Sequence, residues 1–124
     1  FEMKENASAG GNVVKVEDDC IYVKSDYKLV QIKLKDILYV EGLKDYVKIY
    51  IENEPKAILS LMSMKAMEER LPSSHFIRVH RSFIVQKNKI KIIDRGRIVF
   101  GKEYIPVSDS YKQELQNYLN EKTM

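Results

Sequence analysis

The sequence has 124 residues, 44% of them hydrophobic and 31% charged, and a formal net charge of +3. A chain of this length suits one domain, and this composition excludes an intrinsically disordered protein. No apolar run reaches the roughly 18 residues of a membrane helix, and the polar start lacks the apolar segment of a secretory signal, so we expect a cytoplasmic protein.

Alternation of polar and apolar residues predicts a chain rich in strands. Residues 1–12 are small and polar and predict a linker tail, so the domain is predicted over residues 13–124. Alternation buries one face of a strand and leaves the other in water, which favours antiparallel sheets. In chain order, the predicted strands cover residues 20–24, 30–34, 37–41, 47–52, 76–80, 89–92 and 97–100. Ile49 and Ile92 are assigned to the buried faces of their strands.

A short amphipathic helix is predicted in the middle of the chain. Met64, Met67 and Leu71 lie at the i, i+3 and i+7 positions of a helical stripe. Ser63 is the candidate N-cap, and Pro72 ends the run. The methionines are interpreted as core residues, because flexible thioether side chains fill irregular gaps in a core.

A second helix is predicted at the C-terminal end of the sequence. Its apolar stripe consists of Tyr111, Leu115, Tyr118 and Leu119, and Leu115 is assigned to the core. Its N-cap is either Ser110, with Gln113 completing a capping box, or Ser108. The sequence therefore predicts a mostly β fold of small antiparallel sheets, with one short internal helix and a C-terminal helix.

Motifs of catalysis and metal binding are missing from the sequence. It contains no His-Glu-x-x-His, Cys-x-x-Cys, phosphate-binding glycine loop or nucleophile elbow. His75 and His80 are five residues apart with no carboxylate close in sequence, which is a poor metal site. The single cysteine, Cys20, excludes an internal disulfide, suits a reducing compartment and is interpreted as a small core residue. We therefore predict no enzymatic activity, no cofactor and no bound metal.

The charge of the chain is concentrated in one segment. Residues 77–102 contain a single acid, Asp94, and carry a net charge of +7, so the rest of the chain carries −4. The eight basic residues of this segment are Arg78, Arg81, Lys87, Lys89, Lys91, Arg95, Arg97 and Lys102. This basic block is either a contact surface for a polyanion or a solvated face whose counter-charges come from other segments.

Within the basic block, an alternating strand runs into three consecutive side chains that can donate hydrogen bonds. These are His80, Arg81 and Ser82, and the apolar residues 83–85 follow and can anchor them. Phosphate oxygens and base edges accept such bonds, and arginine fits guanine with two of them. Alternatively, His80 or Ser82 satisfies buried backbone groups at the strand end, and we expect this role for Ser82. We expect Arg81 to face solvent or a ligand.

Several segments, taken in order over residues 13–120, resemble the LytTR family of bacterial DNA-binding domains. The most recognisable one is Phe76-x-Arg78-x-His80-Arg81-Ser82-Phe83-Ile84-Val85. The other segments that resemble the family cover residues 37–41, 46–50, 63–72, 89–90 and 105–111. Each segment is short, but their order and spacing together identify the chain as similar to this family.

The resemblance implies a mostly β domain that binds duplex DNA through loops in successive major grooves, without a recognition helix. The contact residues that it implies lie in three segments: Lys44, Asp45 and Tyr46; His80, Arg81 and Ser82; and Asp109, Ser110 and Lys112. Lys87, from the basic block, is expected to touch phosphate at most. Three positions depart from the family pattern: Asp109 stands where arginine is frequent, Gln86 where asparagine is usual, and Lys44-Asp45 where histidine or arginine is expected.

The resemblance also implies partners, and the residues leave two other classes of function open. Family members are mainly the output halves of two-component response regulators, so we expect a receiver domain in the full-length chain and a sensor histidine kinase upstream in the phosphorelay, with a dimer on DNA left open.

The first alternative to duplex DNA binding is a single-stranded nucleic-acid-binding domain, with bases stacking on Tyr22, Tyr27, Tyr39, Tyr46 and Tyr50. The third class is a protein-interaction domain or an enzyme of another type, in which the basic block only adds solubility.

Overall fold

The computed structural model describes residues 19–124, and the predicted linker at 1–12 lies outside this range. Within the described range there are ten strands and two helices. The strands are β1 (Cys20–Ser25), β2 (Lys28–Lys33), β3 (Ile37–Gly42), β4 (Val47–Ile51), β5 (Ile58–Ser60), β6 (Phe76–His80), β7 (Phe83–Gln86), β8 (Ile92–Asp94), β9 (Arg97–Phe100) and β10 (Glu103–Pro106). The helices are α1 (Met64–Arg70) and α2 (Asp109–Lys122).

The strands form three antiparallel sheets, of which the largest organises the molecule. The central sheet has five strands in the order β5-β4-β3-β7-β6. A two-stranded sheet is formed by β1 and β2, and a three-stranded sheet has the order β10-β9-β8. This architecture confirms the predicted mostly β fold of small antiparallel sheets with one short internal helix and a C-terminal helix.

Each face of the central sheet carries its own hydrophobic core, because alternate residues of a strand point to opposite sides. On one face, Val40 and Ile84 belong to a cluster that includes residues of β1, β2 and α1. On the other face, Tyr39 and Val85 belong to a cluster that includes Leu115 of α2 and residues of β9 and β10. The central sheet is thus covered on both sides, and only the ends of its strands lead into exposed loops.

Both predicted helices are present, and their N-terminal ends are settled by local contacts. The Ser63 hydroxyl accepts a hydrogen bond of 3.0 Å from the backbone N–H of Ala66, which confirms the predicted cap of α1. The second helix begins at Asp109, so its N-cap is Ser108 and the alternative at Ser110 is wrong. Leu115 is 5% exposed, as its place in the apolar stripe predicts.

The predicted strand at residues 89–92 is wrong, and so is the buried position of Ile92. The chain forms a 3-10 turn at Lys87–Lys89, and β8 begins only at Ile92, whose side chain is 58% exposed. In β8 it is Ile93 that pairs with the buried Ile98, so Ile93 lies on the core side of the small sheet. A change of phase by one residue exchanges the two faces of a strand, and alternation over four residues does not fix that phase.

Cys20 was predicted to be a core residue, but the structure exposes it. Ile21 and Val23 are the inward residues of β1, and Cys20 lies on the opposite, outer face. Its sulfur accepts a 3.3 Å hydrogen bond from the Gln31 side chain of the neighbouring strand. The cysteine is therefore the exposed first residue of the strand, because alternation in β1 starts on the outer face.

Gln86 has a structural role that the sequence did not indicate. Its side chain is 2% exposed, and its Nε2 donates hydrogen bonds to the carbonyl oxygens of Leu34 at 3.0 Å and Ile37 at 2.6 Å. These carbonyls belong to the first residue of the 3-10 turn that joins β2 to β3 and to the residue that follows this turn. Buried carbonyls need partners, so Gln86 fixes this turn against β7 and lies away from any exposed loop.

Candidate nucleic-acid interface

Three exposed segments meet at one end of the central sheet. They are the β3–β4 loop (43–46), the β6–β7 turn with the residue before it (80–82), and the start of α2 with its cap (108–112). The backbone N–H of Gly42 donates to the Ser82 carbonyl at 2.7 Å, which ties the first segment to the second. The N–H of Ser108 donates to the Val79 carbonyl at 2.9 Å, which ties the third segment to β6. We call this surface the loop edge.

A β-bulge in β6 makes the junction with α2. Arg78 pairs with Ile84 and His80 pairs with Phe83, so Val79 is an extra residue without a partner in the ladder. A bulged residue leaves backbone groups available for other partners. The Val79 carbonyl accepts the bond from Ser108, and the bulge therefore brings the start of α2 to the loop edge.

The first segment is a tight loop whose base is packed against α1. The N–H of Leu43 donates to the Tyr46 carbonyl at 2.8 Å and closes the loop. Lys44, Asp45 and Tyr46 are all exposed within it. A Cβ atom at Gly42 would overlap the Met64 side chain, so any larger residue there would displace this methionine of α1.

The Arg78 side chain holds the β6–β7 turn through hydrogen bonds to its backbone carbonyls. Its Nη2 donates to the Arg81 carbonyl at 2.6 Å, and its Nε donates to the His80 carbonyl at 3.3 Å. Its Nη1 forms an ion pair of 2.9 Å with Glu68 of α1, and its guanidinium lies 5.7 Å from the centre of the Tyr111 ring on α2. One side chain therefore connects the turn to both helices, while the Arg81 side chain is exposed and forms no ion pair within residues 19–124.

Of the two side chains considered for a backbone group at the strand end, His80 makes the contact, and the expectation for the Ser82 side chain is wrong. The N–H of Ser82 donates to Nδ1 of His80 at 3.0 Å, so the proton of the neutral ring lies on Nε2. The ring also packs edge-on against Phe83, with ring centres 5.6 Å apart. The orientation of the imidazole is thereby fixed from two sides, and the backbone of Ser82, not its hydroxyl, makes the contact.

The third segment presents the first turn of α2. Asp109, Ser110 and Lys112 are exposed there, and Tyr111 is half-buried next to Arg78. An acid in the first turn of a helix is stabilised by the helix dipole. Asp109 therefore suits the helix end, and it places a carboxylate among the cations of the loop edge.

The structure puts Lys87 at the other end of the β6–β7 hairpin. Its Nζ donates to the Ser73 carbonyl at 3.2 Å and lies 5.2 Å from the centre of the Tyr118 ring. Lys89 is also engaged, since its Nζ contacts Glu52 at 2.7 Å, and this hydrogen bond holds the pKa of the Glu52 carboxyl below its usual value. The basic block thus divides into residues with internal partners and exposed residues.

Two of the five tyrosines considered as stacking platforms are used for packing. Tyr39 is 4% exposed and stacks on Tyr50 at 4.3 Å and on Phe100 at 5.0 Å between ring centres. Burial raises the pKa of the Tyr39 hydroxyl well above its usual value. The Tyr50 hydroxyl donates to Glu41 at 3.1 Å. The exposed tyrosines of the set are Tyr22, Tyr27 and Tyr46.

Across residues 19–124, no group of three or more histidine, cysteine, aspartate or glutamate side chains could hold a metal ion. Neither helix in this range is long and apolar enough to cross a membrane.

Comparison with known proteins gives concordant matches. A family model described as LytTr DNA-binding domain matches residues 27–120. The Transcriptional regulatory protein YpdB of Escherichia coli K12 is 30% identical over 94 residues, which cover 76% of this chain and 38% of that protein. The Sensory transduction protein LytT of Bacillus anthracis is 30% identical over an alignment of 125 positions, which covers 96% of this chain and 49% of that protein.

A solved structure shares the architecture. It is the LytTr DNA-binding domain of a protein from Bacillus cereus, with a TM-score of 0.66 and 26% sequence identity. The alignment covers 81% of this chain and 95% of that domain. The chain thus matches a whole domain of known structure, although it spans less than half of the two longer relatives.

Proposed function

Because the chain belongs to the LytTr DNA-binding domain family, we propose that its loop edge binds duplex DNA with sequence preference and so controls transcription. The observation that carries this proposal is the meeting of three exposed segments at one end of the central sheet, joined by backbone hydrogen bonds. Segments held in this way can enter successive major grooves as one rigid unit. No catalytic step is part of the proposal.

The side chains of the loop edge suit both phosphate and base contacts. Lys44 and Lys112 are exposed cations on the outer segments and can neutralise phosphates. Arg81 lies on the middle segment, and its guanidinium can donate two bonds to guanine. Asp45 and Asp109 can accept a bond from the amino group of cytosine. We therefore assign base contacts to the middle of the loop edge and mixed contacts to its flanks.

We infer that the whole protein is longer than this domain. The chain spans 38% of YpdB and 49% of LytT, whose names describe transcriptional regulation and sensory transduction. On this basis we propose a cytoplasmic response regulator, in which a receiver domain accepts phosphate from a sensor histidine kinase. The loop edge would then be the output surface of that regulator.

A competition experiment tests the proposed function. Duplexes selected from a random pool are offered together with the matching single strands, and binding is followed at low salt. The proposal expects the selected duplex to win over both its single strands and a scrambled duplex. A preference for single strands would support the alternative based on exposed tyrosines, and binding to neither would favour a protein-interaction domain.

Salt should weaken the binding steeply if phosphates are contacted. The logarithm of the association constant falls with the logarithm of the salt concentration by about 0.9 for each phosphate neutralised. Lys44 and Lys112 alone give a slope of roughly −2, and each further phosphate that is neutralised makes the slope steeper by about 0.9. Titrations at several salt concentrations measure the slope, and a flat response would contradict binding to duplex DNA.

Replacing Arg78 with glutamine should reduce sequence preference. The change removes the charged donor that holds the carbonyls of His80 and Arg81, so the β6–β7 turn loses a fixed conformation. We expect a loss of about 1 kcal/mol on the preferred duplex and less on a scrambled one. Arg78→Lys should restore part of the preference, because an ammonium group can still donate to one of the carbonyls.

Arg70→Gln is the matched control for this change. Arg70 is an exposed arginine of α1 whose guanidinium donates to the Tyr22 carbonyl at 3.4 Å, on the side of the small β1–β2 sheet. Its replacement removes the same charge and should leave sequence preference at the parental level. Equal losses in the two variants would mean that Arg78 acts only through its charge.

A further inference from the structure

The four cations of the basic block that stay exposed outside the β6–β7 turn all lie on one structural unit. They are Lys91, Arg95, Arg97 and Lys102, and they lie in or beside the three-stranded sheet of β8, β9 and β10. None of them takes part in an ion pair with a carboxylate among residues 19–124. Lys91 acts electrostatically on Glu52, and Arg97 pairs with Asp94 and lies 4.5 Å from the centre of the Tyr104 ring. Among the described residues, the cations without such a partner are therefore Arg95 and Lys102, one in each turn of the sheet.

The register of this sheet puts one of its two turns next to the loop edge. Arg97 pairs with Asp94 on one side and with Pro106 on the other, so the β8–β9 turn lies at the end where β10 finishes. Ser108 follows two residues after Pro106, a span of roughly 7 Å, and bonds to Val79. The β8–β9 turn is thus a neighbour of the start of α2.

The conformation of this turn holds Arg95 at its tip. Arg95 has a φ of 54° and Gly96 a φ of 76°, the left-handed pair typical of a two-residue hairpin turn that matches the twist of its strands. The exposed Arg95 therefore lies at the tip of the hairpin. The opposite turn of the same sheet carries Lys102, between the paired residues Phe100 and Glu103.

We propose that Arg95 binds a backbone phosphate of the duplex, beside the part that the start of α2 contacts. This inference rests on the proposed function and adds a fourth contact element to the three segments of the loop edge. The contact supplies affinity without sequence information, because every nucleotide carries the same phosphate. Lys102 lies roughly 13 Å away, at the far end of β9, and is assigned no contact.

The test compares two cations of the same sheet. Arg95→Asn and Lys102→Asn each remove one charge from a hairpin turn, and asparagine tolerates the left-handed backbone at position 95. We expect Arg95→Asn to weaken binding several-fold on preferred and scrambled duplexes alike, and to make the salt slope shallower by about 0.9. Lys102→Asn should keep the parental slope, and Arg95→Lys should restore it.

The outcomes separate this inference from the proposed function. Parental slopes in Arg95→Asn, or equal changes in Arg95→Asn and Lys102→Asn, would overturn the phosphate contact while the parent still selects its duplex. Failure of the parent to bind any duplex would overturn the proposed function itself. Thermal melting of each variant checks that it folds. If Arg95→Asn is unstable, the salt slope of Arg95→Lys still tests the phosphate contact.

Discussion

Arg81→Ala is expected to weaken binding to the preferred duplex by about 1–3 kcal/mol and to relax the preference at one base pair. Arg81 is exposed in the β6–β7 turn, and Arg78 holds its backbone carbonyl at 2.6 Å, so its side chain starts from a fixed position. A guanidinium placed in this way can read a guanine with two hydrogen bonds. Binding to a panel of single-base variants of the preferred duplex measures both effects.

Lys87→Ala is the comparison that separates base recognition from phosphate binding. The sequence predicts that Lys87 touches phosphate at most. Loss of such a contact would weaken binding to all duplexes alike and make the salt slope shallower by about one. In the structure, Nζ of Lys87 donates to the Ser73 carbonyl at the end of the hairpin that is far from Arg81. Unchanged binding of Lys87→Ala would mean that Lys87 lies outside the surface that contacts DNA. Both variants should melt at about the parental temperature, because neither side chain belongs to a core cluster.

Two results would contradict the role of Arg81. An equal loss on every duplex would make it a phosphate contact, and sequence preference would then lie in residues 44–46 or around Asp109. Unfolding of Arg81→Ala would mean that the motif serves the fold, and the assigned loop edge would fall with it.

The strands and helices with strong local patterns could be predicted from the sequence. Alternation over five or six residues predicted β2 and β4 in the correct phase, because a one-residue shift would expose Ile32 or Ile49. The cap of α1 could be predicted because Ser63 bonds within its own helix turn. Signals of this kind depend only on neighbours in sequence.

Features that depend on distant contacts could not be predicted in the same way. The strand β5 has three residues and too little alternation to be recognised, and its place is set by pairing with β4. The position of the Arg78 side chain depends on its contacts with Glu68 and Tyr111, which belong to two different helices. The sequence therefore indicated an unusual basic block. It did not show that Arg78 positions the turn whereas Arg81 is exposed.

The joining of the three segments is also a long-range result. The β-bulge at Val79 leaves no mark in the sequence, since the alternation of residues 76–80 continues through it. Only the resemblance to a known family grouped Lys44, Arg81 and Lys112 into one surface. The hydrogen bonds of Gly42 and Ser108 then give a physical reason for that grouping, although contact with DNA stays a prediction.

Ile49→Ala is expected to lower the free energy of unfolding by about 2–5 kcal/mol. The side chain is fully buried in β4, where it pairs with Val40 on one side and Ile58 on the other. Truncation leaves a cavity that a sheet fixed on both edges closes poorly. A small domain has roughly 5–15 kcal/mol of stability in total, so urea unfolding should show a large shift of the midpoint.

Ile92→Ala is the matched control, since the same side chain is removed from a strand position that is 58% exposed. We expect Ile92→Ala to change the free energy of unfolding by no more than about 0.5 kcal/mol. Parental stability in Ile49→Ala would mean that β4 is shifted by one residue. Such a shift would turn Lys48 towards the core cluster that contains Val40 and Ile84. Because β4 begins directly after the 43–46 loop, the same shift would move Tyr46 relative to Arg81. The stability of Ile49→Ala therefore tests the geometry of the loop edge as well as the core beneath it.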